Sequence, residues 1–178
     1  SALMADLGEP SFRVDQVLRW IFRNRVARWE EMSNLGGGLR DVLARRLDLR
    51  ALAPVRCTGS ADTTRKFLFR LLDGRLVETV LIPASPALYG EASDRRTLCV
   101  SSQVGCRFGC SFCQTGKLGF ARNLSCHEII AQYRLARLAA EQEGRRLSHV
   151  VFMGMGEPLD NYDEVVRAAR LLTAEDGY

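Results

Sequence analysis

Cys106, Cys110 and Cys113 stand in the run CRFGCSFC, a C-x3-C-x2-C spacing. Three thiolates this close can each take one iron of a 4Fe-4S cube, which leaves the fourth iron without a protein ligand. Clusters that only carry electrons are normally held by four cysteines. Three therefore imply an open position where a small molecule binds and reacts, as open positions do in catalytic zinc sites. Two other uses of the thiols compete. Structural zinc takes paired knuckles or a Cys/His pair, but no second knuckle exists and the two histidines, His127 and His149, fall at the edges of expected elements. Disulfides suit small secreted chains, and cysteines three and four apart rarely meet disulfide geometry in a compact loop. The open-site cluster is the stronger reading.

The elements that must position these thiols are legible from periodicity. Thr97–Ser102 reads as a short strand running into the cysteine loop. Ser125 with Glu128 forms a capping box opening a helix through about Glu143, with Gly144 as its stop. His149–Met153 reads as a buried strand, and Asn161 with Glu164 as the cap of a further helix ending near Gly177. Strand–helix–strand–helix with crossovers of this length predicts parallel βα units. The cysteine loop and the run GMGEP (154–158) then follow the carboxyl ends of two parallel strands, on the sheet edge where α/β folds bind ligands. Taken alone, GMGEP is also compatible with a plain strand-ending turn.

Upstream the grammar differs. Val14, Val17, Leu18, Ile21 and Phe22 form an amphipathic helical stripe near 12–24, and Leu39, Val42, Leu43 and Leu47 a second. Gly36, Gly37 and Gly38 weaken the start of that second helix. Trp20 and Trp29 lie beside these stripes and read as packing residues. KFLFRLLDGRLVETVLIP carries two β-rich runs around Asp73-Gly74, a hairpin signal. The expected organisation is an α+β module over 1–83, a linker over 84–96 and the βα segment over 97–178. Glu78, alternating within a hairpin strand, is by itself most simply a solvent-facing glutamate. Cys99 by itself is a small buried hydrophobe, although seven residues before the cluster loop it can also lie at the mouth of a site.

Composition sets limits. With 178 residues and 47% hydrophobic content the chain can bury a real core. Nothing approaches a membrane span, and the N-terminus lacks an export signal, so the expectation is a cytoplasmic protein with reduced thiols. A net charge of +4 is compatible with a polyanionic partner without identifying one. Cys57 and Cys126 read as structural.

The runs TLCVSSQVGCRFGCSFCQTGKLGFARNL and HVVFMGMGEPLDNYDEVV together resemble the RlmN/Cfr family of radical-SAM adenine methyltransferases. The likeness extends through TRKFLFRLLDGRLVETVLIP and, more loosely, FRVDQVLRWIF. The resemblance implies an α/β fold: a partial radical-SAM (βα) barrel, of which two to three βα units are present, preceded by a small α+β domain that helps grip RNA. It implies a 4Fe-4S cluster on Cys106, Cys110 and Cys113. S-adenosylmethionine (SAM) would lie on the open iron, with Phe112, Gly156 and Glu157 on the cofactor. The glycine would let backbone approach the methionyl amino group.

In such a family one SAM methylates a cysteine near the C-terminus and a second supplies the radical that activates that methyl group for attack on adenine, through a covalent protein–RNA adduct. The base matches Glu78 and the resolving thiol matches Cys99. Implied partners are 23S rRNA and tRNA, with an electron donor such as flavodoxin, and neither DNA nor membrane. The preferred reaction is at C2 of adenosine; C8 methylation of the Cfr type and an inactive RNA- or SAM-binding remnant are the alternatives. Two departures from the family stand out. The segment between Glu78 and Cys99 is several residues longer than the family leads one to expect. Residues 97–178 also suffice for only two βα units and part of a third at roughly 30 residues each. No cysteine follows Cys126 to carry the methyl group, so the chain is expected to be a piece of a longer enzyme.

Overall fold

A computed structural model describes residues 2–24, 26–59, 63–84 and 95–174. They fall into two compact units, residues 1–50 with 170–178, and residues 51–169.

The first unit is helical: α1 (Ala2–Asp6), α2 (Phe12–Phe22), a single 3-10 turn (Trp29–Glu31) and α3 (Gly37–Arg46). The stripe on α2 turns Val17 inward, with Val14 and Ile21 beside it, onto a core of Met4, Val26, Trp29, Met32, Leu35, Leu39 and Leu43. Met32 and Leu43 are fully buried, and each such side chain is worth about 1.5–3 kcal/mol in transfer terms. Both tryptophans pack as expected. The Trp29 indole is buried and donates to the Leu47 carbonyl at 3.3 Å; the Trp20 indole donates to Asn34. Leu47 itself lies past the end of α3 and is exposed. Gly37 and Gly38 open the helix, with Gly36 at the cap position and no side-chain cap.

The second unit is built on one mixed sheet. Its strands are β1 (Leu52–Thr58), β2 (Arg65–Leu71), β3 (Leu76–Pro83) and β4 (Arg96–Cys99), and the order β1-β2-β3-β4 closes on β7 (His149–Val151). The first three pairings are antiparallel and β4–β7 is parallel. Between β4 and β7 come β5 (Gln103–Gly105), the short α4 (Gln114–Lys117), β6 (Phe120–Asn123) and α5 (Cys126–Glu141); α6 (Tyr162–Thr173) follows β7. β5 and β6 form a separate antiparallel pair. Alternation fixes the faces. Phe67, Phe69, Leu71, Val77, Thr79, Leu81 and Leu98 are buried on one face, as are Ile129, Ala136 and Ala140 of α5. Gln132 of α5 accepts from Thr79 at 2.8 Å across that layer. The capping box at Ser125 and Glu128 is present with both reciprocal bonds, and α5 ends shortly before Gly144.

The structure draws two boundaries differently from the sequence reading. The hairpin does not belong with the helices in a 1–83 module. Val80 pairs with Cys99 and Ile82 with Thr97, so β3 continues directly into the parallel segment, and the compact units divide after Arg50. Strand pairing decides this, because a hairpin edge left alone would expose a row of unsatisfied backbone groups. Of the expected linker 84–96, residues 85–94 lie outside the described residues. The flanking Ala84 and Arg95 are hydrogen-bonded at 2.9 Å and so close a loop between neighbouring strands. Asn161 is the second difference. Its side chain does not cap α6 but donates to the carbonyls of Ser102 and Leu124, both at 2.8 Å, while Glu164 accepts from the Cys126 amide. Buried carbonyls at the strand exit claim the amide, since an unmade bond there costs more than a frayed helix start.

Among the described residues, no helix is long and apolar enough to cross a membrane.

Candidate active site

Because β4 and β7 run parallel, their carboxyl ends share one edge, and the two loops singled out in the sequence leave from it. The chain passes from Cys99 through Val100, Ser101 and Ser102 into β5 and the cysteine loop; from β7 it passes into GMGEP. Backbone pairing continues past the strands. The Gly154 amide donates to the Val100 carbonyl at 3.0 Å, and the Met155 carbonyl accepts from the amides of Ser102 and Gln103 at 2.9 and 3.1 Å. A side chain on Gly154 would place its Cβ 2.7 Å from the Val100 carbonyl. On Gly156 (φ +97°), a Cβ would fall 2.4 Å from Cβ of Gln103. The glycines thus seat GMGEP against the exit of β4, an approach no side chain permits.

Cys106, Cys110 and Cys113 all occupy the loop between β5 and α4 as free thiols, Cys110 exposed and the others half-buried. The loop is closed by the Cys113 amide on the Cys110 carbonyl and the Cys106 amide on the Gly119 carbonyl, each at 3.0 Å. Backbone amides of Gly116 and Thr115 bond the Cys113 thiol and hold it below the usual thiol range, which favours the thiolate that binds metal. Among the described residues no three His, Cys, Asp or Glu side chains close on a single ion. A 4Fe-4S cube asks for something else, one thiolate on each of three irons. Three reduced, accessible thiols on one short loop, one of them amide-stabilised, meet that demand. Phe112 is 90% exposed beside Cys113, and Met153 and Leu159 are exposed on the facing loop. Gly156 and Glu157 are half-buried, and the Glu157 carboxylate accepts from the Leu159 amide at 3.1 Å.

Glu78 and Cys99 come onto one face. Cys99 pairs with Val80, and residues two apart on a strand share a side, so Glu78 lies diagonal to Cys99 on the face opposite α5. Ser101 ties the strands further by donating to the Glu78 carbonyl at 2.6 Å. The Glu78 carboxylate is 41% exposed and pairs with Lys66 at 2.9 Å, lining a pocket of about 240 Å³ with Arg56, Thr58 and Leu68. Cys99 is buried; that burial pushes its thiol up, against a bond from the Met153 backbone.

Sequence reasoning missed the buried polar residues between the loops: Ser101, Gln103, Gln132 and Asn161. A run of polar residues at a strand exit, SSQ between Val100 and Val104, is the signal that could have flagged Ser101 and Gln103.

Two family models match this chain. A model of the ribosomal RNA large subunit methyltransferase N-terminal domain matches residues 1–49, and the radical SAM superfamily model matches residues 100–177. The chain is 48% identical over 176 residues to the "Probable dual-specificity RNA methyltransferase RlmN" of Akkermansia muciniphila, covering 99% of this chain and 48% of that protein. It is equally identical, over 176 residues, to the dual-specificity RNA methyltransferase RlmN of Alkalilimnicola ehrlichii, covering 99% and 47%. A crystal structure of a radical SAM methyltransferase from Sphaerobacter thermophilus superposes with a TM-score of 0.87 at 42% identity, over 99% of this chain and 50% of that one. The chain spans about half the length of the curated relatives it matches.

Proposed function

The chain belongs to the RlmN family of radical SAM methyltransferases, and from that premise we propose that it forms part of an enzyme that methylates C2 of an adenosine in 23S rRNA and in tRNA. The observation that carries the proposal is the convergence, on one sheet edge, of the cysteine loop, the GMGEP loop and the face bearing Glu78 and Cys99.

Cys106, Cys110 and Cys113 hold the 4Fe-4S cluster, and Phe112, Gly156 and Glu157 line the SAM beside it. Bound there, the pair supplies a one-electron cleavage of SAM that makes an unreactive methyl group reactive. The chain's own residues bind, orient and move protons. Glu78, accessible on the open face, accepts the proton lost from the adenine ring. Lys66 orients that carboxylate before substrate arrives. Cys99 supplies the thiol that attacks the sulfur of the methyl-carrying cysteine: the disulfide forms as the carbon–sulfur bond of the adduct breaks, and the released carbon takes the electron pair and a proton to become the methyl group on adenine. Burial keeps Cys99 protonated and unreactive until the partner sulfur reaches it, since the thiolate is the nucleophile. The target base must leave its stack to meet this face, as RNA and DNA base-modifying enzymes require. An electron donor of the flavodoxin class and a cytoplasmic location complete the reading.

Anaerobic reconstitution of the full-length protein with iron and sulfide tests it. The wild type should bind cluster iron and cleave SAM, and mass spectrometry of the RNA should show 2-methyladenosine. Cys110→Ala with unchanged iron content, or a product methylated at C8, would overturn the assignment.

A further inference from the structure

Gln103 is fully buried, yet every polar atom of its amide is engaged. Its Nε2 donates to Asn123 Oδ1 and Asp160 Oδ2, both at 2.8 Å. Its Oε1 accepts the Glu157 amide at 3.0 Å. The orientation is dictated by chemistry: turned over, the amide would set its oxygen against the Asp160 carboxylate, which can only accept. Asp160 is held in turn by Arg107 at 3.0 Å, and the Arg107 guanidinium lies 4.2 Å over the Phe120 ring. Arg107 is the residue after Cys106. One buried side chain therefore joins the GMGEP loop to the cysteine loop.

The contact also fixes a peptide plane. The Gly156–Glu157 bond is trans, as all peptide bonds described here are, so the Glu157 N–H and the Gly156 C=O point in opposite directions. With the N–H drawn to Gln103, the Gly156 carbonyl is turned away from it, and it accepts no hydrogen bond from the described residues. The φ of +97° and the absence of a side chain at Gly156 are what allow this fit against Gln103.

We infer that Gln103 is a positioning residue that aims the Gly156 carbonyl as an acceptor for the ammonium group of SAM and locks the cofactor loop in register with the cluster loop. The inference rests on the reading of GMGEP as the SAM loop.

The test compares two ligands on the full-length, reconstituted protein with its cluster oxidised, so that no cleavage occurs. SAM carries the amino acid moiety; 5′-methylthioadenosine carries the adenosine alone. Gln103→Met removes the acceptor and should weaken SAM about tenfold, the expected scale for one lost buried hydrogen-bond partner, while leaving 5′-methylthioadenosine within twofold of wild type and iron content unchanged. Equal weakening of both ligands, or of neither, overturns the inference. If Gln103→Met does not accumulate as folded, iron-loaded protein, Gln103→Asn, which withdraws the amide by one methylene, is judged by the same ratio. A wild type that binds cluster iron but not SAM would instead sink the reading of the loop itself.

Discussion

At the residue scale the chemistry depends on environment more than on residue type. Cys99 and Cys113 are both thiols on the way to one site, but burial pushes the first up while backbone amides pull the second down. That difference suits a latent resolving thiol and a metal ligand respectively. Glu78 is a surface carboxylate whose ion pair with Lys66, half in solvent, adds little to stability. Its substitution should therefore read out in chemistry and not in folding. Glu78→Gln in the full-length enzyme is expected to lower the methylation rate by roughly 10²–10⁴-fold, the usual worth of a general base, with melting temperature and iron content unaltered. A variant that methylates at the wild-type rate removes Glu78 from the mechanism.

At the scale of elements, α5 is fastened to the strands by one charged node. Arg122 on β6 bonds both oxygens of Glu128 at 2.8 and 2.9 Å and also Asp73 in the hairpin turn at 2.8 Å. Burial pushes the Glu128 carboxyl up, but Arg122 and Ser125 outweigh it and leave it below the usual carboxylate range; Asp73 is lowered as well, chiefly by Arg122. A lowered folded pKa means stability that is present above the unfolded value of about 4.3 and lost as pH falls through the folded value. The melting-temperature gap between wild type and Glu128→Gln should be widest near pH 7 and narrow as pH falls below about 4.3 and through the lowered folded value. A gap constant across that range would show that Arg122 does not select the charged form. The hairpin makes the same point about elements. Asp73-Gly74 announced it in the sequence, but its membership of the larger sheet depended on β3 meeting β4, where Val80 pairs with Cys99, a pairing that no local turn signal specifies.

For the molecule as a whole, the sheet order ends on β7, whose valines Val150 and Val151 are only half-buried. The relatives are about twice as long as this chain, and no cysteine follows Cys126 here. A preparation of these 178 residues alone is expected to take up iron at the three-cysteine loop yet yield no methylated adenine from rRNA or tRNA, whereas the full-length protein yields it. Methylation by the 178 residues alone would mean that a thiol already described here carries the methyl group.

The sequence by itself determined what chain-local chemistry can encode. A C-x3-C-x2-C loop needs no distant partner to present three thiols, a capping box is complete within four residues, and period-two and period-3.6 patterns mark strands and helices without reference to their neighbours. Only the tertiary structure decided which side chains meet across the fold. The contacts of Gln103 with Glu157 and Asp160, of Asn161 with Ser102 and of Gln132 with Thr79 join residues 53 to 59 positions apart. The shared face of Glu78 and Cys99 follows from a strand register. Such contacts arise because buried polar groups must find partners wherever packing brings them, and nothing in the local pattern of a sequence specifies that meeting place.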